Sequence, residues 1–314
     1  MFELTQSPYG KYRRYTLHHP ETGDGFSIVP ERGATVLEIH FRGNNVLDGY
    51  QSPEELEAGK WAKSAILFPF PNRLKDGRYS WLGHDYAFPI NHPDSHNAIH
   101  GFVRDETFEV VHIELTTESA EITCRFDYRG QHAWYPFPFV LEATFGITNR
   151  NEFNASFFLK NRHHDPIPVG LGWHPYFRLT EKAGDHLLQL PPCGQIEVDG
   201  RMLPTGGRIP FADFAAAAPL GDRNIDKCFQ AQEDHPLYHL TLQGGGQTLA
   251  VAASRNLFPF FQVFIPPARE SIALEPMTCN VNAFQTGDRL ETVPATGDWT
   301  AAFRLEYYQQ SVAG

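Results

Sequence analysis

Along much of its length this chain alternates apolar and polar residues with a period of two. Ile122, Cys124, Phe126 and Tyr128 alternate with Glu121, Thr123, Arg125 and Asp127. Successive side chains of a strand point to opposite faces, so this rhythm describes a half-buried strand. Leu37, Ile39 and Phe41 share one face in the same way. Leu141, Ala143, Phe145 and Ile147 lead to Asn149-Arg150-Asn151, and Phe153, Ala155, Phe157 and Leu159 return, which predicts a hairpin. Tyr238, Leu240 and Leu242 run into Gly244-Gly245-Gly246, and Leu249, Val251 and Ala253 come back. Near the end Trp299, Ala301, Phe303, Leu305 and Tyr307 alternate again.

Helix signals are few. Ser52-Pro53-Glu54-Glu55-Leu56-Glu57 offers a cap, a proline at the first position and early acids, which predicts a short helix; Ala212 to Ala218 suggests another turn. Many strands, with 25 Phe, 12 Tyr, 26 Gly and 24 Pro, predict an all-β protein, a large antiparallel sandwich. No linker or internal repeat divides residues 1–314, so one domain is expected. The Gly- and Pro-rich span from Thr180 to Pro236 has weak periodicity and reads as a long excursion over the sandwich.

A net charge of −11 argues against nucleic acid and anionic membrane surfaces as partners. The N-terminus lacks a basic and apolar leader pattern, and no apolar run approaches the ~18 residues of a membrane span, so a cytoplasmic location is expected. Cys124, Cys193, Cys228 and Cys279 are far apart in sequence, which suggests reduced thiols and disfavours a zinc site. His163-His164-Asp165 looks like a metal cluster, but neighbours on a strand would point to opposite faces, so it reads as structural.

The chemistry concentrates in a few strings. Glu275 follows the apolar run Ser271-Ile272-Ala273-Leu274 and precedes Pro276. The proline forces extended geometry on Glu275 and is expected to stop the ladder, leaving a carboxylate at a strand end beside a cleft. The plainer reading is a structural Glu capping a turn. His174 sits in Gly170-Leu171-Gly172-Trp173-His174-Pro175-Tyr176-Phe177, where the plainer reading is a core histidine satisfied by backbone. A carboxylate and an imidazole together can take and give a proton. Arg73, in Asn72-Arg73-Leu74-Lys75-Asp76-Gly77-Arg78-Tyr79, offers a planar fork of donors suited to sugar oxygens or a carboxylate. Beyond it, Tyr79 and Trp81 are expected to face Tyr86 and Phe88 across Gly83. His100 and Arg104 lie in His100-Gly101-Phe102-Val103-Arg104, and Asp226 in Asn224-Ile225-Asp226-Lys227-Cys228-Phe229. An ion pair of Arg104 with Asp105 or Glu106, and an Asx-turn at Asp226, are the plainer readings there. Trp134-Tyr135-Pro136-Phe137 could stack on sugar rings or fill the core.

Leu274-Glu275-Pro276-Met277-Thr278, with Asn282-Ala283-Phe284, and Gly172-Trp173-His174-Pro175-Tyr176-Phe177 resemble the aldose 1-epimerase (galactose mutarotase) family. The resemblance implies a galactose mutarotase-like supersandwich of antiparallel sheets, with a monosaccharide as substrate, no cofactor, no metal, and a monomer or homodimer. It implies Glu275 as base and His174 as acid, with Arg73, His100 and Asp226 on the sugar. His100-Gly101-Phe102-Val103-Arg104 departs from the galactose-type pattern, in which a second glycine follows His-Gly. Arg104 therefore raises the question of a phosphorylated or otherwise anionic hexose. Two other classes stay open: a non-catalytic sugar-binding protein, which would not need both Glu275 and His174, and a glycoside hydrolase or lyase, for which Glu275 and Asp226 are the only carboxylate pair to nominate.

Overall fold

A computed structural model describes residues 1–232 and 236–309. Two large antiparallel sheets dominate. The nine-stranded sheet runs in the order Glu109–Leu115, Ser119–Tyr128, Phe139–Thr148, Glu152–Asn161, Asp298–Gln309, Gln247–Ser254, Leu237–Gly244, Leu187–Gln189 and Ala218–Pro219. The eight-stranded sheet runs Pro204–Phe211, Cys193–Val198, Asp226–Ala231, Phe260–Phe264, Ile272–Met277, Gly172–Trp173 and Ile66–Leu67, with Tyr176–Phe177 also paired to Ile272–Met277. A five-stranded N-terminal sheet, Glu3–Tyr9 to Asn44–Asn45, adds a further layer.

The alternating segments form strands as expected. Phe139–Thr148 and Glu152–Asn161 make the hairpin, with Thr148 opposite Glu152. Leu237–Gly244 and Gln247–Ser254 turn at Gly245 and Gly246, whose φ values of 58° and 72° suit a tight two-residue hairpin loop. The apolar faces meet in one core. Trp173 of the eight-stranded sheet lies 5.5 Å from Phe303 and 6.2 Å from Phe153 of the nine-stranded sheet, ring centre to ring centre. Phe261 meets Tyr238 at 5.7 Å in the same way. Burial of such side chains contributes roughly 1.5–3 kcal/mol each. Pro53–Ala58 is the expected helix, capped by the Ser52 hydroxyl, which accepts from the Glu55 amide.

Three expectations need correction. The span from Thr180 to Pro236 is no excursion over the sandwich: five strands within it join the two large sheets. Its rhythm is hidden because Pro204–Phe211 is an edge strand, largely exposed on both faces, and Ala218–Pro219 is only two residues long. The turn suggested within Ala212 to Ala218 is present at residues 212–215, where Ala215 N–H donates to the Ala212 carbonyl. Trp81 faces His84, while Tyr79 faces and stacks on Tyr86. His163-His164-Asp165 lies in a bend outside any strand, so its rings do not diverge but lie 4.1 Å apart. Trp134 to Phe137 resolves toward packing: Tyr135 is fully buried and donates to the Pro168 carbonyl, and Trp134 packs on Phe88 and Phe102.

Candidate active site

The site begins with an interrupted ladder. Gly172 pairs with Met277 and Tyr176 pairs with Ala273, so the register is the same on both sides of a gap. That register puts His174 directly across from Glu275. Pro175 and Pro276 fall within the gap and carry no N–H, so the ladder cannot close there. The backbone of His174 bonds instead to its other neighbour: its N–H donates to Ala65 O, and its carbonyl accepts from Ser64 N–H. Pro276 does not end the strand, contrary to expectation. Ile272–Met277 continues through it, because Pro276 is still paired with Phe261 on the opposite side.

The same row extends one strand further. Gln262 lies opposite Glu275, and Cys228 lies opposite Gln262. Residues directly opposite in an antiparallel pair share a face, and so do residues two apart on one strand. His174, Glu275, Gln262 and Asp226 therefore point to one side of the sheet. Gln262 Nε2 donates to Asp226 Oδ1 at 2.5 Å, and its Oε1 accepts from Asn72 Nδ2 at 3.2 Å. Asn72 Oδ1 in turn accepts from Arg73 Nη1 at 2.9 Å. This chain of polar groups fixes the arginine opposite the two carboxyl groups. His100 enters from a sharp turn: its φ is 67°, and its N–H donates to the Asn72 carbonyl. Gly101 follows with φ of 61°, and a Cβ there would lie 1.9 Å from the Phe68 carbonyl oxygen, so only glycine fits.

All six residues singled out in the sequence, Glu275, His174, Arg73, His100, Asp226 and Arg104, line one cavity of about 330 Å³. His174 Nε2 lies 3.3 Å from Glu275 Oε1. Among the described residues, eight buried side-chain polar atoms have no hydrogen-bond partner. Five of them belong to this cavity: Arg73 Nε, His100 Nδ1, Arg104 Nε, His174 Nδ1 and Glu275 Oε2. Buried polar groups are nearly always satisfied, so such a cluster marks a place where something else supplies the partners. A wider depression of about 510 Å³ over Arg78, Tyr86 and Gln285 gathers none of these atoms.

Electrostatics separates the groups. Burial raises the Glu275 carboxyl well above its usual range, Asp226 adds to the rise, and Arg73 opposes it. Burial pushes the His174 imidazole down to about 3. His100 is likewise held well below the ordinary value by burial, and next by His174 and Arg104. The Asp226 side chain is open to the cleft, yet the dense surroundings raise it too, against the pull of Arg73. Burial lowers Arg73, while Asp226 and Glu275 oppose that. Burial thus disfavours charge on both the acid and the imidazole, and a strongly perturbed pair of this kind in a cleft marks a candidate functional site.

Arg104 lines the cavity and also stands beside Asp105. Its Nε is 3.4 Å from Asp105 Oδ2 but makes no hydrogen bond, and Asp105 Oδ1 is held by Arg32 Nη1 at 2.5 Å. Several cavity residues were not anticipated. Trp61 is 39% exposed at the rim and lies 5.8 Å from Phe264, ring centre to ring centre. Asn91 and His92 form a further wall. Gln262 carried a readable mark, a lone amide in Phe260-Phe261-Gln262-Val263-Phe264. Trp61, Asn91 and His92 lie on loops with no such mark.

The fold is shared with solved proteins. A galactose mutarotase-like protein of Clostridium acetobutylicum superposes with a TM-score of 0.88 at 15% identity, covering 98% of this chain and 99% of the other. Galactose 1-epimerase of Lactobacillus acidophilus NCFM gives 0.84 at 18% identity, covering 99% of each chain. At these identities the likeness speaks for the fold alone: the antiparallel sheets are those of the galactose mutarotase-like supersandwich. In sequence, the uncharacterized protein YihR of Escherichia coli (strain K12) is 28% identical over 271 residues, 84% of either chain. The sequence model of the family described as Aldose 1-epimerase matches residues 13–306. The match spans nearly the whole chain and contains every cavity residue named above, and on that ground the protein belongs to the aldose 1-epimerase family.

Proposed function

We propose that this protein is an aldose 1-epimerase that interconverts the α and β anomers of an aldose by opening and reclosing the ring. The observation that carries the reading is the cluster of five orphaned polar atoms around a His–Glu pair in a cavity sized for one sugar ring. Burial disfavours charge on both partners, so the empty pair rests as neutral imidazole and carboxylic acid, sharing one proton across 3.3 Å. A bound sugar supplies hydrogen bonds to Oε2 and Nδ1. Transfer of the shared proton to Nε2 then gives a carboxylate and an imidazolium. Glu275 Oε2 takes the proton of the anomeric hydroxyl while His174 Nδ1 gives its proton to the ring oxygen. The C1–O5 bond breaks and an aldehyde remains. Rotation about C1–C2 presents the other carbonyl face, and the reverse transfers close the ring as the other anomer. Arg73 and His100 donate to the ring oxygens, and Asp226 accepts from a hydroxyl, as preorganised dipoles do. Every step moves protons between groups of this chain and the sugar.

A binding-only protein would have no use for a matched acid and base, and a polymer would need a longer groove than this cavity. The test is an NMR anomer-exchange measurement over neutral, phosphorylated and sulfonated aldoses. Exchange accelerated by the protein on at least one sugar supports the reading; binding without acceleration on all of them refutes it.

One observation favours a second substrate class. Arg104 brings a guanidinium to the cavity with its Nε buried and without a hydrogen bond. We propose that it receives an anionic substituent on the sugar, in which case the substrate is a charged hexose.

A further inference from the structure

We infer that Arg201 is a positioning residue for substrate recognition, holding the wall that carries His92 against the cleft. The inference rests on the proposed sugar site and asks what sets one side of it. His92 lines the cavity and opens the segment that ends at His100. It stands near enough to affect the charge of both His100 and Asp226. Its Nδ1 is engaged with the Ser95 hydroxyl at 2.8 Å, which leaves Nε2 as the polar edge for a ligand. The segment ends in a short strand, Asn97–Ile99, paired with Arg73–Lys75. Residues 92–96 stand off that strand, with one turn at Pro93–Ser95 and a backbone bridge of His92 to Asn97.

A further tie comes from about 100 residues away in sequence. A tight turn at residues 199–203 is closed by Asp199, whose Oδ1 accepts from the backbone N–H groups of Arg201 and Leu203. It projects Arg201 onto the segment. Arg201 Nε donates to the Ser95 carbonyl at 2.9 Å. Its Nη2 lies within 3.0 Å of Asp76 Oδ1, the His96 carbonyl and Asn97 Oδ1. Asn97 is fully buried and returns a bond from its Nδ2 to the Arg201 carbonyl at 3.3 Å. One planar fork thus holds three consecutive residues, 95–97, to the turn residue Asp76. Lysine could not reproduce this set, because it offers a point charge in place of a fork.

The experiment is a double-mutant cycle on anomer exchange, using the full-length protein. Wild-type activity on the chosen sugar tests the proposed function first and separately. Arg201→Ala is expected to raise KM about tenfold with kcat within about twofold, the size of coupling expected between groups in one network. His92→Ala should raise KM as well. The double variant should be no worse than His92→Ala alone, since the clamp acts through that side chain. Arg201→Lys should recover little. Equal and additive penalties on KM, or a wild-type KM in Arg201→Ala, would overturn the inference. Should Arg201→Ala not fold, Arg201→Lys replaces it in the cycle, because it keeps the charge and removes the fork. An unchanged KM there overturns the inference equally.

Discussion

In the nine-stranded sheet, Ser119–Tyr128, Phe139–Thr148, Glu152–Asn161 and Asp298–Gln309 pair residue for residue with no shift in register. In the eight-stranded sheet, the pairing of Ile272–Met277 breaks between Gly172 and Tyr176 and resumes in the same register. The first region alternates buried and less buried residues, and none of its side chains carries an orphaned polar atom. The second has a strand buried at every position, with a carboxylate in it. An unbroken ladder consumes its backbone groups and leaves side chains to pack. A ladder broken by two prolines keeps strand spacing but leaves a gap, and His174 and Glu275 face each other across it. Scaffold and site are thus built from the same pairing rule, applied with and without the interruption.

The sharpest way to break that comparison is to mutate both regions. Glu275→Gln should lower kcat by about 10²- to 10⁴-fold, the usual worth of a positioned acid or base. Its fold should survive, because a neutral amide replaces a carboxyl that burial already keeps from ionising. Leu141→Ala, in the scaffold, should do the reverse. Leu141 is fully buried between Phe126 and Leu159 in register, so its truncation should cost about 2–5 kcal/mol of stability. Its kcat per folded molecule should stay near wild type. Polarimetry on freshly dissolved sugar and urea melts measure the two axes. A near-wild-type rate in Glu275→Gln would sink the mechanism.

Arg104 tests whether substrate choice belongs to the rim and not to the broken ladder. Arg104→Ala should selectively weaken kcat/KM on an anionic hexose by about 1.5–3 kcal/mol, the range for a hydrogen bond to a charged group. A neutral hexose should be little affected. Equal losses on both sugars would make Arg104 part of the scaffold through Asp105 and return neutral aldoses to first place.

The pH dependence of stability sharpens the comparison further, because only the site sheet buries this acid and imidazole together. His174 has a folded value of about 3, below its unfolded value of about 6.5. Between these values the unfolded chain binds more protons. The stability from keeping His174 neutral is therefore complete above about pH 6.5 and lost as pH falls toward 3. Glu275 has a raised folded value, so its contribution is complete below its unfolded value of about 4.3 and declines as pH rises through the folded one. Urea melts at about pH 7.5 and about pH 5 should show the two contributions opposing each other in wild type, with Glu275→Gln losing more stability than wild type on acidification and His174→Asn losing less. Glu275→Gln should be the more stable protein at the higher pH. Parallel curves for all three proteins would contradict the burial of the pair.

Much of this was readable in the sequence, and the exceptions have physical reasons. Strands with one wet face announce themselves, as Ser119–Tyr128 and Asp298–Gln309 do. Pro204–Phe211 does not, because an exposed edge strand has no buried face to alternate against. Glu275 and His174 stood out as polar residues in apolar strings, each before a proline. Their register opposite one another did not, since a pairing across 100 residues leaves no local mark. Trp61, His92 and Arg201 were silent for a related reason: loops carry no periodicity, and their roles come only from what folds against them.

Trp61 carries the smallest expected effect and separates the two regions most finely. The nine-stranded sheet holds its aromatics in ordinary extended backbone. Trp61 is held at φ of 65° and Ala62 at 49°, with Ser64 at 55° beyond an ordinary Lys63, a left-handed cluster unusual for residues with a Cβ. Its carbonyl accepts from the Tyr176 hydroxyl at 3.0 Å, which pins the turn beside the cavity. Strain of this kind costs about 1–3 kcal/mol per residue and is kept where the position of a side chain matters. Here that side chain is a half-open indole lining the cavity, and we propose that it covers the C–H face of a bound sugar ring. Trp61→Ala should raise KM about fivefold, near the ~1 kcal/mol of an aromatic contact, and leave kcat alone. Trp61→Gly should lose the same affinity but melt higher than Trp61→Ala, because glycine adopts the left-handed turn without strain. If both variants bind the sugar as wild type does, the indole is a cover for Phe264 and the rim has no part in recognition. If Ala melts as high as Gly, the turn is not strained.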